Sequence, residues 1–395
     1  MLDSLQRLPD DPILGLAAKC REDSNPDKVD LTLGIYMNEN GVCPVPEAIQ
    51  QAQRTLVEEE TTKAYLPPAG DADFNRGMRT LVFGEDSAEL AADRVSSIQA
   101  PGGCGALRIG AEIAHAANPD GRVWVSDPTW PVHIPLVGSV GLELLKYRYY
   151  DATSHGVDFD GMVEELKAAG KGDLVLLHGC CHNPCGADLS LEQWAVIADM
   201  AEEQGFIPFI DIAYQGLGAG LEEDAAGLRL LASRLPEMIV AASCSKNMGL
   251  YRERTGCGMF LCETADNAEA ILSQAKVAAR RIYSMPPAHG AILAGKVLSD
   301  DALGRVWREE LLAMCRRING LRGQLVDSLQ ADTGRDFDFI RRENGMFSFL
   351  GLSEENVRRL REEHSVYMLG SSRINVAGVN ARNIDYLSKA IAAVL

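Results

Sequence analysis

Basic side chains are scarce in this sequence relative to acidic ones. Its 395 residues include 38 Lys and Arg against 56 Asp and Glu, which gives a net charge of −18 at pH 7. Nucleic acid and anionic membrane surfaces would repel such a chain, so we expect neither as a partner. A small anionic substrate is still compatible with this charge, because a few local arginines can dominate the field inside one site.

Long apolar runs are missing too. No run approaches the roughly 20 apolar residues that a helix needs to cross a bilayer, and residues 1–7 (MLDSLQR) lack the apolar core of a secretion signal. The sequence also contains no internal repeat and no low-complexity tract. We therefore expect a cytoplasmic globular protein whose length suggests two domains.

The ten cysteines are too sparse for a disulfide scaffold, so we expect free thiols. One cluster of zinc-type ligands stands out, made of His178, Cys180, Cys181, His182 and Cys185. No second CxxC or HxxxH pattern is present to complete a tetrahedral set, so the sequence predicts no metal site.

Short β-rich runs alternate with longer helical patterns through most of the chain. The strand candidates are residues 122–126, 173–178, 207–212, 238–243 and 258–262, with helical patterns such as 191–204 and 222–235 between them. Uninterrupted apolar strands in this alternation predict an α/β fold with a mostly parallel sheet covered on both faces.

The pattern changes after about residue 310. A charged helix at 307–329, the segment 345–350, a helix at 354–363, the segment 367–376 and a terminal helix at 382–395 predict a smaller α+β domain. Residues before Cys43 cannot build a core alone. We therefore predict an N-terminal arm and part of the small domain in residues 1–43, a large domain in 44–313, and the rest of the small domain in 314–395.

Unusual polar and aromatic residues follow the predicted strands where each one ends. In an open α/β sheet, ligands collect beyond these carboxyl ends. The sequence therefore predicts a binding site that contains Trp130, Asn183, Asp211, Tyr214 and the segment from Ser243 to Lys246.

Lys246 lies in the most informative of these segments. The apolar run 238–242 leads to Ser243, Ser245 and Lys246, and Arg254 follows eight positions after the lysine. A lysine can form a Schiff base with an aldehyde, while hydroxyls and a guanidinium can hold a phosphate. The segment therefore suits a phosphorylated carbonyl cofactor, although a lone motif of this kind also fits a solvated Lys/Arg pair on a loop.

Two further motifs support the cofactor. The glycine-rich turn 101–105 leads into a helix whose amides, including those of Gly103 and Cys104, can hold a phosphate. Asp211 could keep a pyridine nitrogen protonated while Tyr214 and Asn183 donate to the ring oxygen; the alternative is a helix cap and a packing residue. Together these are the parts of a pyridoxal-phosphate (PLP) site.

With these motifs assembled, the sequence resembles the class I aminotransferases, in the subgroup of aspartate and aromatic-amino-acid aminotransferases. The resemblance covers nearly the whole chain and is carried by DPILGL (11–16), NPCG (183–186), DIAYQG (211–216), SKNMGLY (245–251), YSMPPAHG (283–290) and SRINVAG (372–378). It implies a PLP-dependent transaminase that acts on amino acids and 2-oxo acids. It also implies a homodimer with shared active sites and an N-terminal arm that crosses between subunits.

Matched position by position, the resemblance also implies residue roles. Lys246 would carry the cofactor and move the substrate proton, Asp211 would pair with the ring nitrogen, and Trp130 would stack on the ring. The ring oxygen would be bound by Asn183 and Tyr214. The phosphate would be held by Ser243, Ser245, Arg254, the amides of Gly103 and Cys104, and Tyr65 of the other subunit. Arg373, assisted by the Gly34 backbone, would bind the substrate α-carboxylate, and Arg280 of the other subunit would bind a distal carboxylate.

The chain departs from the family pattern at several positions. Cys104 and Cys185 stand where Thr or Ser is usual, which weakens one phosphate contact at the first position and is expected to be structural at the second. Apolar or small residues stand where aspartate-specialised members are polar: Met37, Cys43, Ala64 and Met285, with Ile35 beside them. We therefore expect an aromatic amino acid and 2-oxoglutarate as substrates in a ping-pong reaction, with aspartate aminotransferase as the alternative.

Two other functional classes could use the same fold. A β-lyase or decarboxylase could share the cofactor, although both substrate arginines favour transamination. A non-catalytic protein on the same fold is disfavoured by the intact Lys246, Asp211 and Arg373.

Overall fold

The computed structural model describes residues 2–8 and 12–395. Residue 11, the first of the DPILGL motif, and residues 1, 9 and 10 of the predicted arm lie outside the described residues. In the part of the chain that is described, no helix is both long and apolar enough to cross a membrane. The expected cytoplasmic location stays a prediction.

Strands and helices alternate along the chain as the sequence predicts. The strands are β1 Val29–Asp30, β2 Val95–Pro101, β3 Arg122–Asp127, β4 Glu143–Arg148, β5 Tyr150–Asp151, β6 Gly156–Val157, β7 Leu174–His178, β8 Ile207–Ile212, β9 Met238–Ser243, β10 Thr255–Leu261, β11 Phe347–Phe349, β12 Val366–Tyr367 and β13 Arg373–Asn375. The helices are α1 Pro12–Glu22, α2 Glu47–Glu59, α3 Ala72–Phe83, α4 Ala88–Ala91, α5 Gly102–Ala117, α6 His133–Gly138, α7 Phe159–Leu166, α8 Leu191–Gln204, α9 Ala226–Arg234, α10 Ala265–Ile282, α11 Ala288–Ser299, α12 Asp301–Thr333, α13 Phe339–Arg342, α14 Glu354–His364 and α15 Ile384–Val394.

The main sheet has seven strands in the order β2-β10-β9-β8-β7-β3-β4. Neighbouring strands from β9 to β4 run parallel, and only β10 is antiparallel, to both β9 and β2. Along β7, Val175 and Leu177 join one apolar core, while Leu174 and Leu176 join the core on the opposite face. The prediction of a mostly parallel, doubly covered α/β sheet is therefore confirmed.

Helix α8 illustrates how local sequence sets these elements. Ser190 accepts a hydrogen bond from the Gln193 amide, and the Gln193 side chain accepts one from the Ser190 amide, forming a capping box. Its buried face includes Trp194 and Ile197, which anchor the helix on the sheet. The chain then returns directly into β8, whose end carries Asp211.

A separate apolar core lies beside the main sheet. It joins Val29 and Leu31 with residues between 321 and 394, and β1 pairs in parallel with β12. Helix α12 passes through the predicted boundary at 313/314, since Trp307 and Leu311 pack in the main core while Leu325 and Leu329 pack in the second. The exact domain limits stay a prediction.

Candidate active site

The predicted site residues surround one cavity of about 250 Å³ at the carboxyl ends of the parallel strands. The predicted residues that line it are Gly34, Gly103, Cys104, Trp130, Asn183, Asp211, Tyr214, Ser243, Ser245, Lys246, Arg254 and Arg373. Tyr65 and Arg280 lie outside it on the surface, and Tyr65 is 92% exposed. One chain therefore brings together all the candidates except the two that the resemblance assigns to a partner subunit.

Lys246 follows the end of β9 and reaches into this cavity. Its Nζ lies 4.7 Å from the centre of the Tyr214 ring. Burial lowers the pKa of Lys246, and the nearby Arg254 charge lowers it further, although Asp211 acts in the opposite direction. A larger share of the amine is therefore neutral and nucleophilic than for an exposed lysine.

Asp211 is the next-to-last residue of β8 and contacts a histidine that the sequence interpretation missed. Its Oδ2 lies 2.9 Å from Nε2 of His133, which is fully buried. Burial alone would raise the pKa of Asp211, but the hydrogen bond and charge of His133 lower it below its usual value. Asp211 therefore stays ionised, which suits a partner for a protonated ring nitrogen.

Further hydrogen-bond contacts hold His133 on the side away from Asp211. Its Nδ1 lies 2.8 Å from the Thr129 Oγ1, which in turn lies 3.1 Å from Nε2 of His178. Burial lowers the pKa of His178 well below its usual value, and the neighbouring histidines act in the same direction. A neutral His178 can thus hold Thr129 and His133 in place, and Trp130 meets the His133 ring edge-on with 5.3 Å between ring centres.

Several groups that line the cavity are suited to binding an anion. The α5 N-terminus has neither a capping side-chain bond nor an acidic residue in its first turn within the described chain, and its residues Gly103 and Cys104 line the cavity. Ser243 and Ser245 are both buried, with their hydroxyls 2.8 Å apart. Arg254 adds a cation at the rim.

Arg373 begins β13 on a third side of the cavity. It is only 2% exposed, and it donates to the Thr32 carbonyl at 2.6 Å and to Asn183 Oδ1 at 3.4 Å. Its Nε has no hydrogen-bond partner among the described residues, and none of their carboxylates forms an ion pair with it. A buried guanidinium left in this state is suited to an incoming carboxylate.

Phe347 lies beneath this guanidinium, with the Arg373 Cζ 4.5 Å from its ring centre. The ring also packs against Gly34, where a Cβ would come within 2.8 Å of Phe347 Cζ. Glycine is needed at position 34 so that the backbone can approach this closely. The sequence interpretation did not single out Phe347 or Thr32, because neither residue type signals a binding role by itself.

The cluster of cysteines and histidines noted in the sequence does not form a single group of metal ligands among the described residues. Among the described residues, Cys180, Cys181 and Asp224 place possible metal-ligand atoms within 4.8 Å of one another. However, the Asp224 oxygens already accept hydrogen bonds from the amides of Gly216, Gly218 and Ala219 at 2.8 to 2.9 Å. The carboxylate is therefore explained as the anchor of this loop. The thiol of Cys185 is fully buried, 3.1 Å from His182 Nδ1.

The chain is similar to known proteins over nearly its whole length. The family model for aminotransferases of class I and II matches residues 26–391. The chain belongs to this family. It is 46% identical to the aspartate aminotransferase of Escherichia coli K12 over 396 residues, covering 100% of both chains. It is 48% identical to the aromatic-amino-acid aminotransferase of Paracoccus denitrificans over 394 residues, covering 99% of both.

Solved structures agree with this assignment. The aromatic-amino-acid aminotransferase of Burkholderia pseudomallei, covalently bound to pyridoxal phosphate, superposes with a TM-score of 0.98 at 42% identity, covering 100% of this chain and 99% of that one. The aminotransferase described here is a PLP-dependent transaminase. Its cavity fits the cofactor, because it is lined both by the α5 N-terminus, serine hydroxyls and cations, which suit a phosphate, and by the ionised Asp211, which suits a protonated ring nitrogen.

Proposed function

We propose that this aminotransferase transfers the amino group between an aromatic L-amino acid and 2-oxoglutarate, with aspartate as a slower substrate. The observation that carries the proposal is that Gly34 of the cavity is followed along the chain by the apolar side chains of Ile35, Met37 and Cys43, all of them half-buried. Such side chains favour an aromatic ring over a second carboxylate. Relatives named for aspartate and for aromatic amino acids are similar to nearly the same degree, so the relatives do not choose between them.

The residue roles follow from the geometry of the cavity. Bound PLP supplies an aldehyde that condenses with amines and a ring that accepts electron density from the substrate α-carbon. Lys246 holds the cofactor through its partly neutral amine and, when released, can carry the α-proton on Nζ. The ionised Asp211 holds a proton at the ring nitrogen. Burial raises the pKa of Tyr214, so its phenol stays protonated and donates to the ring oxygen together with Asn183.

The remaining residues bind the two ends of the ligands. Ser243, Ser245, Arg254 and the Gly103 and Cys104 amides would hold the phosphate. Arg373 would take the substrate α-carboxylate with two nitrogens of its guanidinium, since a guanidinium matches a carboxylate in bidentate geometry. Trp130 would cover the ring and exclude water from that side.

Steady-state kinetics test the substrate assignment. We expect kcat/KM to be higher for phenylalanine, tyrosine and tryptophan than for aspartate, with 2-oxoglutarate as acceptor. Met37→Lys should move the preference toward aspartate by placing a cation near the distal carboxylate, whereas Met37→Leu keeps the surface apolar and serves as the control. If aspartate exceeds all three aromatic substrates by more than about tenfold, roughly 1.4 kcal/mol in transition-state binding, the enzyme is an aspartate aminotransferase.

We further propose a homodimer in which each site borrows Tyr65 and Arg280 from the other subunit. Large apolar side chains exposed on one chain support an interface: Leu2, Leu5, Leu8, Val57, Val277 and Ile282, with exposures from 43% to 81%. Ile282 and Val277 lie on α10 beside Arg280, and Leu2, Leu5 and Leu8 lie on the predicted arm. Exposed apolar surface of this kind is typical of a subunit contact.

Subunit complementation tests the shared site. Arg280→Ala and Lys246→Ala chains are each defective, but a hybrid dimer contains one site with both native residues. After subunit exchange, random pairing should restore about one quarter of the wild-type sites. Activity in exchanged mixtures that stays at the level of the separate mutants would refute the cross-subunit assignment.

A further inference from the structure

A fully buried arginine lies behind the active-site cavity. Arg322 belongs to α12 and is 1% exposed. It donates to the carbonyls of Ile340, Asn344, Gly345 and Phe347 at distances from 2.6 to 3.2 Å. Burying a guanidinium is costly unless its donors are satisfied. The four carbonyls satisfy them here, so the guanidinium holds these carbonyls in fixed positions.

The carbonyls that Arg322 holds belong to the segment that supports the substrate side of the cavity. Phe347 starts β11, which pairs antiparallel with β13 so that Phe349 lies opposite Arg373. The Phe347 ring supports the Arg373 guanidinium from below and meets the Tyr214 ring edge-on, with 5.8 Å between ring centres. A shift of residues 344–347 would therefore move the surface on which Arg373 lies.

The same segment contacts the turn that carries Asn183. The Asn344 amide donates to the Gly186 carbonyl at 2.8 Å. A Cβ at Gly186, whose φ is +74°, would come within 2.5 Å of the Phe347 carbonyl oxygen and 3.3 Å of an Arg322 nitrogen. Glycine allows this contact, so one guanidinium lies between the turn of Asn183 and the strand beneath Arg373.

Glu343 completes the arrangement. Its Oε2 lies 3.2 Å from Arg322 Nη1 and accepts a hydrogen bond from the Ser348 hydroxyl. Glu343 is 2% exposed, and its Oε1 has no partner among the residues that the structure describes. The carboxylate therefore fixes the guanidinium from the side that the carbonyls leave open.

We propose that Arg322, paired with Glu343, is a positioning residue for substrate binding: it fixes residues 344–347 and, through Phe347 and Gly186, sets Arg373 and Asn183 around the substrate α-carboxylate. This inference rests on the proposed role of Arg373. A lysine cannot reproduce it fully, because an ammonium cannot present the planar set of donors that these carbonyls require.

The test is binding of 3-phenylpropionate, which has the carboxylate but no amino group and cannot react. We expect Arg322→Met to raise its Kd, and the KM for phenylalanine, by about tenfold or more, while kcat falls less than about threefold. Arg322→Lys should give an intermediate Kd. Arg316→Met, on the exposed face of the same helix, is the matched control and should resemble the wild type.

Arg373→Lys separates this inference from the proposed function. If Arg373→Lys raises the Kd but the Arg322 variants stay within about twofold of the wild type, the positioning role is wrong and the function stands. If Arg373→Lys itself leaves the Kd unchanged, the carboxylate site is wrong. Where Arg322→Met does not fold, Arg322→Lys decides the question, and an unchanged Kd in that folded variant overturns the inference.

Discussion

The buried carboxyl of Glu343 should make the folding stability of the protein depend on pH. Burial raises the pKa of this carboxyl from 4.5 to about 7, with Arg322 acting against the shift. Between these values the folded protein holds a proton that the unfolded chain has released. The free energy of unfolding should therefore fall as pH rises through this window, because stability decreases with pH wherever the folded state binds more protons.

The magnitude follows from the two pKa values. Their difference corresponds to about 3 kcal/mol per chain, since each pH unit carries roughly 1.4 kcal/mol. The charged and titratable groups that face Glu343 lie on several elements: Arg322 on α12, Arg342 on α13, Tyr150 on β5 and Cys185 after β7. Because these groups are unchanged in Glu343→Gln, the difference between wild type and variant isolates this carboxyl.

Urea unfolding of the holoenzyme, followed by tryptophan fluorescence at fixed protein and PLP concentrations, measures the effect at pH 5, 6, 7 and 8. We expect Glu343→Gln to gain stability relative to the wild type as pH rises, by an amount approaching 3 kcal/mol at pH 8. Glu354→Gln removes an exposed carboxylate and is the charge-matched control. Parallel pH profiles for the wild type and Glu343→Gln would refute the raised pKa and the burial from which it follows.

Four further outcomes test individual site residues. Borohydride reduction of the holoenzyme followed by peptide mapping should label Lys246, and a label on any other lysine would contradict its role. Cys104→Thr should tighten PLP binding to the apoenzyme by about 1 kcal/mol, because a hydroxyl donates more strongly than a thiol; Cys104→Ala is the control, and equal Kd values for Thr and Cys would refute the contact. His133→Ala should lower kcat by roughly 10- to 100-fold, since it removes a charge-assisted bond to Asp211 worth about 1.5–3 kcal/mol; unchanged kcat would contradict that coupling. Arg280→Ala should lower kcat/KM strongly for aspartate and glutamate but mildly for phenylalanine, and equal losses for all three would argue against distal-carboxylate binding.

The sheet and most of the cavity could be predicted from sequence because their signals are local. Strands β8 and β9 match the predicted bounds, and Asp211 in the last two residues of β8 and Lys246 just after β9 lie where the alternation of strands and helices places ligands. Two strands of the main sheet were missed. β2 lies at one edge of the sheet and is buried, but its polar residues Ser96, Ser97 and Gln99 hide it in the sequence; β4 lies at the other edge and carries exposed charged residues.

Only the tertiary structure revealed His133 and Arg322. Nothing near His133 in the sequence indicates a bond to a carboxylate 78 positions away. Arg322 is one of many charges on a helix that the sequence predicts as charged, yet the packing of α12 against both cores buries it. Tyr65 and Arg280 stay predictions, because their expected contacts lie in another chain.

The sequence thus determined the fold class, the cofactor chemistry and the residues at the strand ends, since short-range pattern encodes these. The positions of the groups behind them depend on long-range packing, which no local pattern specifies.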